Sequence, residues 1–264
     1  IELTLNNESE PSRLRERKPP HQICDAEALK KMKTNLDALH NKKAFICDMD
    51  GVIYHGNRLL PGVPEFTAWL RDNKKDFLFL TNSSERAPRE LAQKLARMGL
   101  DISEEHFYTS ALATASFLAS QCPGGSVYVI GEPGLVNALY DAGLSMNDYN
   151  PDYVVFGETR SLSYEKIERA VELVFKGAKL IGTNTDITAP GERGIVPACR
   201  ALISPIELAT GRSAYYIGKP NPLIMRHALK TLACHHAEAA IIGDRMDTDI
   251  IAGIESELGT VLVL

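Results

Sequence analysis

Asp48 and Asp50 are the first residues in this sequence placed to do chemistry. They close the apolar run Ala44-Phe45-Ile46-Cys47, and Gly51 follows them. In extended backbone an i, i+2 spacing puts both side chains on one face. Two carboxylates so close repel each other unless a positive charge sits with them. A hard cation such as Mg2+ answers that need, because it prefers oxygen ligands and bridges carboxylates to phosphates. Gly51 lets the backbone turn sharply beside the pair. An acidic turn after a strand is the plain alternative. A calcium loop of the EF-hand type is excluded, since Val52 and Ile53 stand where it needs an oxygen ligand and then its glycine.

Three more apolar runs end in residues of the same interest. Asp76 to Leu80 leads into Thr81-Asn82-Ser83-Ser84. The Thr81 hydroxyl and nearby main-chain N–H groups can hold a phosphate without adding charge. These residue types equally favour turns and helix caps, and Ser84 is placed to cap a helix through Leu91, Leu95 and Met98. Tyr215-Tyr216-Ile217-Gly218 precedes Lys219, a cation held between Gly218 and Pro220 at the start of a helix. This is no Walker loop, because Ser213 occupies the required glycine position and Pro220 that of the Mg2+-binding Ser or Thr. Ala239 to Gly243 ends in Asp244, and Asp249 follows five residues later where the next helix begins. Either acid also suits a helix N-terminus without further purpose.

An open parallel sheet would bring such residues together, since ligands bind outside the carboxyl ends of its strands. The expected elements alternate accordingly. A tight hairpin over 52–60 turns at Gly56-Asn57, with His55 on its flap either facing the site or solvated. Helices are expected over 61–71, 84–98 and 111–120, and Ser126 to Ile130 reads as a third strand. From about Glu132 to Ala214 the alternation reads as a separate lobe: strand 152–157, helix 164–175 and strand 179–183. The polar, glycine-rich loop Asn184–Gly194 then interrupts, as functional loops and plain solvated connections both do. A last strand covers 260–264.

Composition bounds the function classes. The chain has 264 residues, compatible with one large domain or a core with an inserted lobe. A net charge of -5 argues against general nucleic-acid binding. No apolar run approaches the roughly 20 residues of a membrane helix. The five cysteines, Cys24, Cys47, Cys122, Cys199 and Cys234, are odd in number and have no CxxC or zinc spacing, so reduced thiols in the cytoplasm are expected. Residues 1–43 are charged and poor in apolar side chains, as in a mobile arm. Within them Asp25 is placed to cap a helix through Leu29, Met32, Leu36 and Leu39. The arm has no secretory h-region, and a start at Ile rather than Met suggests a processed or incomplete beginning.

From Lys43 to Leu264 the order and spacing resemble the haloacid dehalogenase-like (HAD) superfamily, and within it the NagD-like phosphatases. The resemblance rests on CDMDGVIYHGNRLLPG, LFLTNSS, VVFGETRS, IGKPNP and IIGDRMDTDI. It implies an α/β fold: a doubly wound parallel-sheet (Rossmann-like) core over 44–131 and 215–264, with an α/β cap inserted at 132–214. It also implies an Mg2+-dependent phosphomonoester hydrolase acting through an aspartyl-phosphate. Asp48 would be the nucleophile and Asp50 the general acid, then base. Thr81 and Asn82 would hold phosphate, and Lys219 would balance charge. Asp48, the Asp50 carbonyl and Asp244 would bind Mg2+, with Asp249 orienting Lys219 or a metal-bound water. Family members continue past the last strand with a further helix and strand. Their lack here suggests a fragment of lowered stability that still keeps every site residue.

The expected substrate is a small phosphomonoester, a nucleoside monophosphate first. Pyridoxal phosphate, phosphoglycolate and sugar phosphates are the alternatives within the class. No nucleic-acid polymer or membrane partner is expected, and homo-oligomerisation is left open. A non-catalytic phosphoacceptor or binding module is the alternative from another class. Asp50 and Lys219 argue against it, because a mere receiver needs no leaving-group acid. A dehalogenase would need neither the Mg2+ site nor Asp50.

Overall fold

The computed structural model describes residues 37–191 and 194–264. The chain divides after His40. Residues 37–40 are helical; residues 1–36 of the expected 1–43 arm, and with them all of its helix before residue 37, lie outside the described residues.

Residues 41–264 build two parallel sheets. The strands are, in chain order, β1 (Ala44–Asp48), β2 (Tyr54–His55), β3 (Arg58–Leu59), β4 (Asp76–Thr81), β5 (Phe107–Thr109), β6 (Ser126–Ile130), β7 (Ser145–Met146), β8 (Tyr153–Phe156), β9 (Lys179–Gly182), β10 (Thr188–Gly191), β11 (Gly194–Pro197), β12 (Tyr215–Tyr216), β13 (Ala239–Gly243) and β14 (Gly259–Leu262). The first sheet runs β14-β13-β1-β4-β5 and the second β12-β9-β8-β6-β7, with every pairing parallel. Strands covered by helices on both faces read as continuous apolar runs. β1 and β8 fit that description, with Ala44–Cys47 and Tyr153–Phe156 all buried.

The helices are α1 (Val63–Asp72), α2 (Pro88–Arg97), α3 (Ser110–Gln121), α4 (Pro133–Asp141), α5 (Tyr164–Phe175), α6 (Cys199–Thr210), α7 (Pro222–Thr231) and α8 (Ile251–Glu255). α3 lies against both α4 and α7. The buried cluster is therefore continuous between the sheets, from Ile46 and Leu80 through Leu118 and Leu135 to Val155. No described helix is long and apolar enough to cross a membrane, and Cys47, Cys122, Cys199 and Cys234 are free thiols.

Three sequence expectations need correction. Ser126–Ile130 is not a strand of the first sheet but lies inside the second, between β8 and β7, and β12 likewise pairs with β9. The third strand of the first sheet is Phe107-Tyr108-Thr109, three residues long and therefore without readable periodicity. Ser84 caps no helix: α2 begins at Pro88, where the Glu90 carboxylate accepts the Ala87 N–H at 2.8 Å. The interrupting loop is also more regular than expected, since β10 and β11 pair as an antiparallel hairpin. The Gly56-Asn57 turn forms as read, joining β2 to β3.

Candidate active site

Asp48, Asn82, Lys219, Asp244 and Asp249 converge at the carboxyl ends of β4, β1 and β13. Asp48 is the last residue of β1, with its side chain 13% exposed. Lys219 is almost fully buried beside it. Its Nζ bonds Asp48 Oδ1 and, at 2.6 Å, Asp249 Oδ1. Asp249 sits on a single π-helical turn, Met246–Ile250, that follows β13. Its other oxygen, Oδ2, accepts the Arg245 N–H at 3.2 Å. The approach is possible because residue 243 is glycine: a Cβ there would lie 2.1 Å from the Asp249 Cβ.

Asp244 completes the cluster from the exposed side. Ligand oxygens of Asp48, Asp244 and Asp249 lie within 4.8 Å of one another. Gly51 makes room for Asp244. Its φ of +94° favours glycine, and a Cβ would stand 2.1 Å from Asp244 Oδ2. Burial pushes the Asp48 carboxyl up to about 7; Lys219 opposes the rise, while Asp249 and Asp244 add to it. Burial also raises Asp244, with Asp249 contributing. For Lys219 burial pulls downward, but Asp48 and Asp249 outweigh it and the ammonium is held charged. Three carboxylates against one ammonium leave an excess of negative charge. The donor set is all hard oxygen, as Mg2+ prefers. Asp249 has both oxygens engaged by Lys219 and Arg245, so Asp48 and Asp244 are the carboxylates open to a cation.

Asp50 is half-buried and stands outside that cluster. Burial raises its carboxyl, and nearby Lys94 and His55 pull it down. His55 Nδ1 is 3.9 Å from Asp50 Oδ1, on an exposed side chain. Lys94 lies 3.6 Å above the centroid of the Tyr54 ring. A basic residue inside α2 gave no sequence signal for this proximity.

Thr81 Oγ1 accepts the Ser83 N–H at 3.1 Å. The Asn82 side chain is spent on protein: its Oδ1 accepts the Lys219 N–H at 2.7 Å, and its Nδ2 donates to the Lys219 carbonyl at 3.0 Å and to Asp186 Oδ2 at 2.9 Å. Any phosphate contact by Asn82 therefore falls to its main chain. Asp186 also pairs with Arg245 Nη1 at 2.7 Å. Glu158, Asn184, Asp186 and Arg245 thus adjoin the site; Asn184 and Asp186 belong to the loop marked in the sequence as a candidate functional one, whereas Glu158 and Arg245 were given no role. The first three follow the ends of β8 and β9. The strand-end logic used for Asp48 and Asp244, applied to β8, would also have found Glu158.

Comparison with known proteins agrees with this geometry. The model for haloacid dehalogenase-like hydrolases matches residues 45–145, and a second HAD-hydrolase-like model matches 216–264. A dihydroxyacetone phosphatase of Corynebacterium glutamicum is 48% identical over 83% of this chain and 80% of its own. The ribonucleotide monophosphatase NagD of Escherichia coli is 43% identical over 84% of this chain and 87% of its own. The solved structure of that NagD superposes with a TM-score of 0.81 at 42% identity, covering 85% of this chain and 88% of the other. An acid sugar phosphatase of Staphylococcus saprophyticus is 41% identical over 85% of this chain and 87% of its own. The chain belongs to the haloacid dehalogenase-like hydrolases, with a doubly wound core and an inserted α/β cap. Within them it is a phosphatase of the NagD-like family.

Proposed function

We propose that this chain is an Mg2+-dependent phosphomonoesterase that acts on a nucleoside monophosphate through an aspartyl-phosphate on Asp48. The observation that carries the reading is the buried Asp48–Lys219–Asp249 cluster with Asp244 at its open side. Asp48 attacks phosphorus, the bond to the leaving oxygen breaks, and Asp50 gives that oxygen its proton. Asp50 then takes a proton from water as the water attacks the aspartyl-phosphate, releasing phosphate and restoring Asp48. Lys219 holds Asp48 in place and offsets charge on the phosphoryl oxygens. Thr81 and the Asn82 main chain bind those oxygens, while Asp249 fixes Lys219. Asp48, Asp244 and the Asp50 carbonyl would hold Mg2+, which when bound neutralises phosphoryl charge so that a carboxylate can approach.

The cap of this reading spans 126–216 rather than 132–214, because both flanking strands belong to its sheet. Four free thiols support a cytoplasmic setting. A phosphorylated sugar or triose is the second reading on substrate, favoured by the 48% identity to a dihydroxyacetone phosphatase.

The test is phosphate release over a panel of nucleoside monophosphates, sugar phosphates, dihydroxyacetone phosphate, pyridoxal phosphate and phosphoglycolate, with and without EDTA. A nucleoside monophosphate should give the highest kcat/KM, and EDTA should stop release. Activity that survives EDTA would remove the metal from the reading. Asp48→Asn should abolish turnover, because an amide is a poor nucleophile.

A further inference from the structure

We propose that Glu158 is a positioning residue for phosphate binding: its buried carboxylate, acting through Ser84 and Asn184, fixes the Thr81–Ser84 loop in its working shape. The proposal rests on the reading of that loop as the phosphate-binding one. Glu158 follows β8 in the second sheet, and Ser84 follows β4 in the first. The Glu158 side chain is buried between them. Its Oε2 accepts the Ser84 main-chain N–H at 3.1 Å and also the Ser84 hydroxyl. Its Oε1 accepts from Asn184 Nδ2, which also donates to the Asn82 carbonyl at 2.7 Å.

The network continues into the site. Asn184 Oδ1 accepts the Asp186 N–H at 3.0 Å, and Asp186 takes the Asn82 amide. Asn82 in turn holds the main chain of Lys219. Two glycines that follow strands of the second sheet, Gly134 at the start of α4 and Gly157 after β8, close on the same segment. Gly134 N–H donates to the Glu85 carbonyl at 3.1 Å. A Cβ at Gly157 would lie 2.5 Å from Ser84 Oγ.

A buried acid without a cation is costly, and negative charge near a phosphate site opposes the substrate. Among the described residues Glu158 makes no ion pair, and its partners are neutral donors. What the acid supplies is geometry. Three donors converge on one side chain, and only a carboxylate offers two oxygens that both accept without donating. A glutamine of the same shape would set an N–H group against either Ser84 or Asn184. Burial raises the Glu158 carboxyl above its ordinary value, and these hydrogen bonds offset only part of that rise.

The test compares Glu158→Gln with wild type, using inorganic phosphate as a competitive inhibitor of p-nitrophenyl phosphate hydrolysis. The Ki for phosphate and the KM should both rise about tenfold, the scale of one lost charge-assisted hydrogen bond. The Mg2+ concentration for half-maximal activity should stay put, since no ligand of this network belongs to the metal set. A merely structural role would lower Tm and leave Ki unchanged in the folded protein, and that result would overturn the proposal. If Glu158→Gln does not fold, Ser84→Ala carries the same expectation, because it keeps the main-chain N–H on Glu158 and loses only the hydroxyl. Thr81→Ala separates the two readings. If it raises Ki while Glu158→Gln does not, the positioning role alone fails. If neither raises Ki, the loop is not the phosphate site.

Discussion

Lys219 balances two buried carboxylates at once, and its loss would leave both without a counter-charge. Lys219→Met should cost about 3–5 kcal/mol of stability by that mechanism, read as a fall in denaturation midpoint, and should abolish turnover. Gly51 is the other position where one atom decides. Gly51→Ala would strain a positive φ and drive a methyl group into Asp244. A loss of about 1–3 kcal/mol is expected, together with a higher Mg2+ requirement; an unchanged Mg2+ titration would remove Asp244 from the metal set. In the proposed mechanism Asp50 acts by its proton. Asp50→Asn should slow hydrolysis of alkyl and sugar phosphates by about 10²–10⁴-fold and spare the first step for p-nitrophenyl phosphate, whose leaving group departs without a proton. Equal loss for both leaving groups in that step would contradict the role.

At the scale of elements, the strand ends were the most legible part of the chain. β1, β4 and β13 each carry an apolar run that stops at a polar residue, and all three sit side by side in the first sheet. Lys219 was legible as a fixed cation because glycine and proline flank it; its carboxylate partners Asp48 and Asp249, distant in sequence, came only from the family resemblance and not from any local pattern. A serine before a helical pattern is ordinarily a cap, but Ser84 is held by a tertiary partner, Glu158, that no local pattern announces. β5 was too short to show a period, and β6 was as apolar as any strand of the first sheet, so pattern alone could not assign its sheet. The β10–β11 hairpin stands apart from the buried network at Asn184 and Asp186. Replacing it with an unrelated hairpin should reorder nucleotide against sugar-phosphate preference and alter p-nitrophenyl phosphate turnover less. An unchanged ranking over the panel would locate selectivity elsewhere.

At the scale of the whole molecule, two parallel sheets share one apolar cluster and meet over the carboxyl ends of the first. The α/β class with an inserted second sheet was legible from alternation and motif order. The contacts between the sheets were not, because they join residues such as Ser84 and Glu158 that no local pattern couples. This architecture keeps Asp48 and Lys219 largely from water while leaving Asp244 exposed, as the proposed covalent intermediate on Asp48 would require. The most direct measurement is a rapid-quench experiment on Asp50→Asn with p-nitrophenyl phosphate, followed by mass spectrometry of the quenched protein. The expected result is a burst of p-nitrophenol equal to the enzyme present, with one phosphoryl group on the peptide that contains Asp48. Slow release without a burst, and no phosphoryl group on that peptide, would contradict a covalent aspartyl-phosphate mechanism.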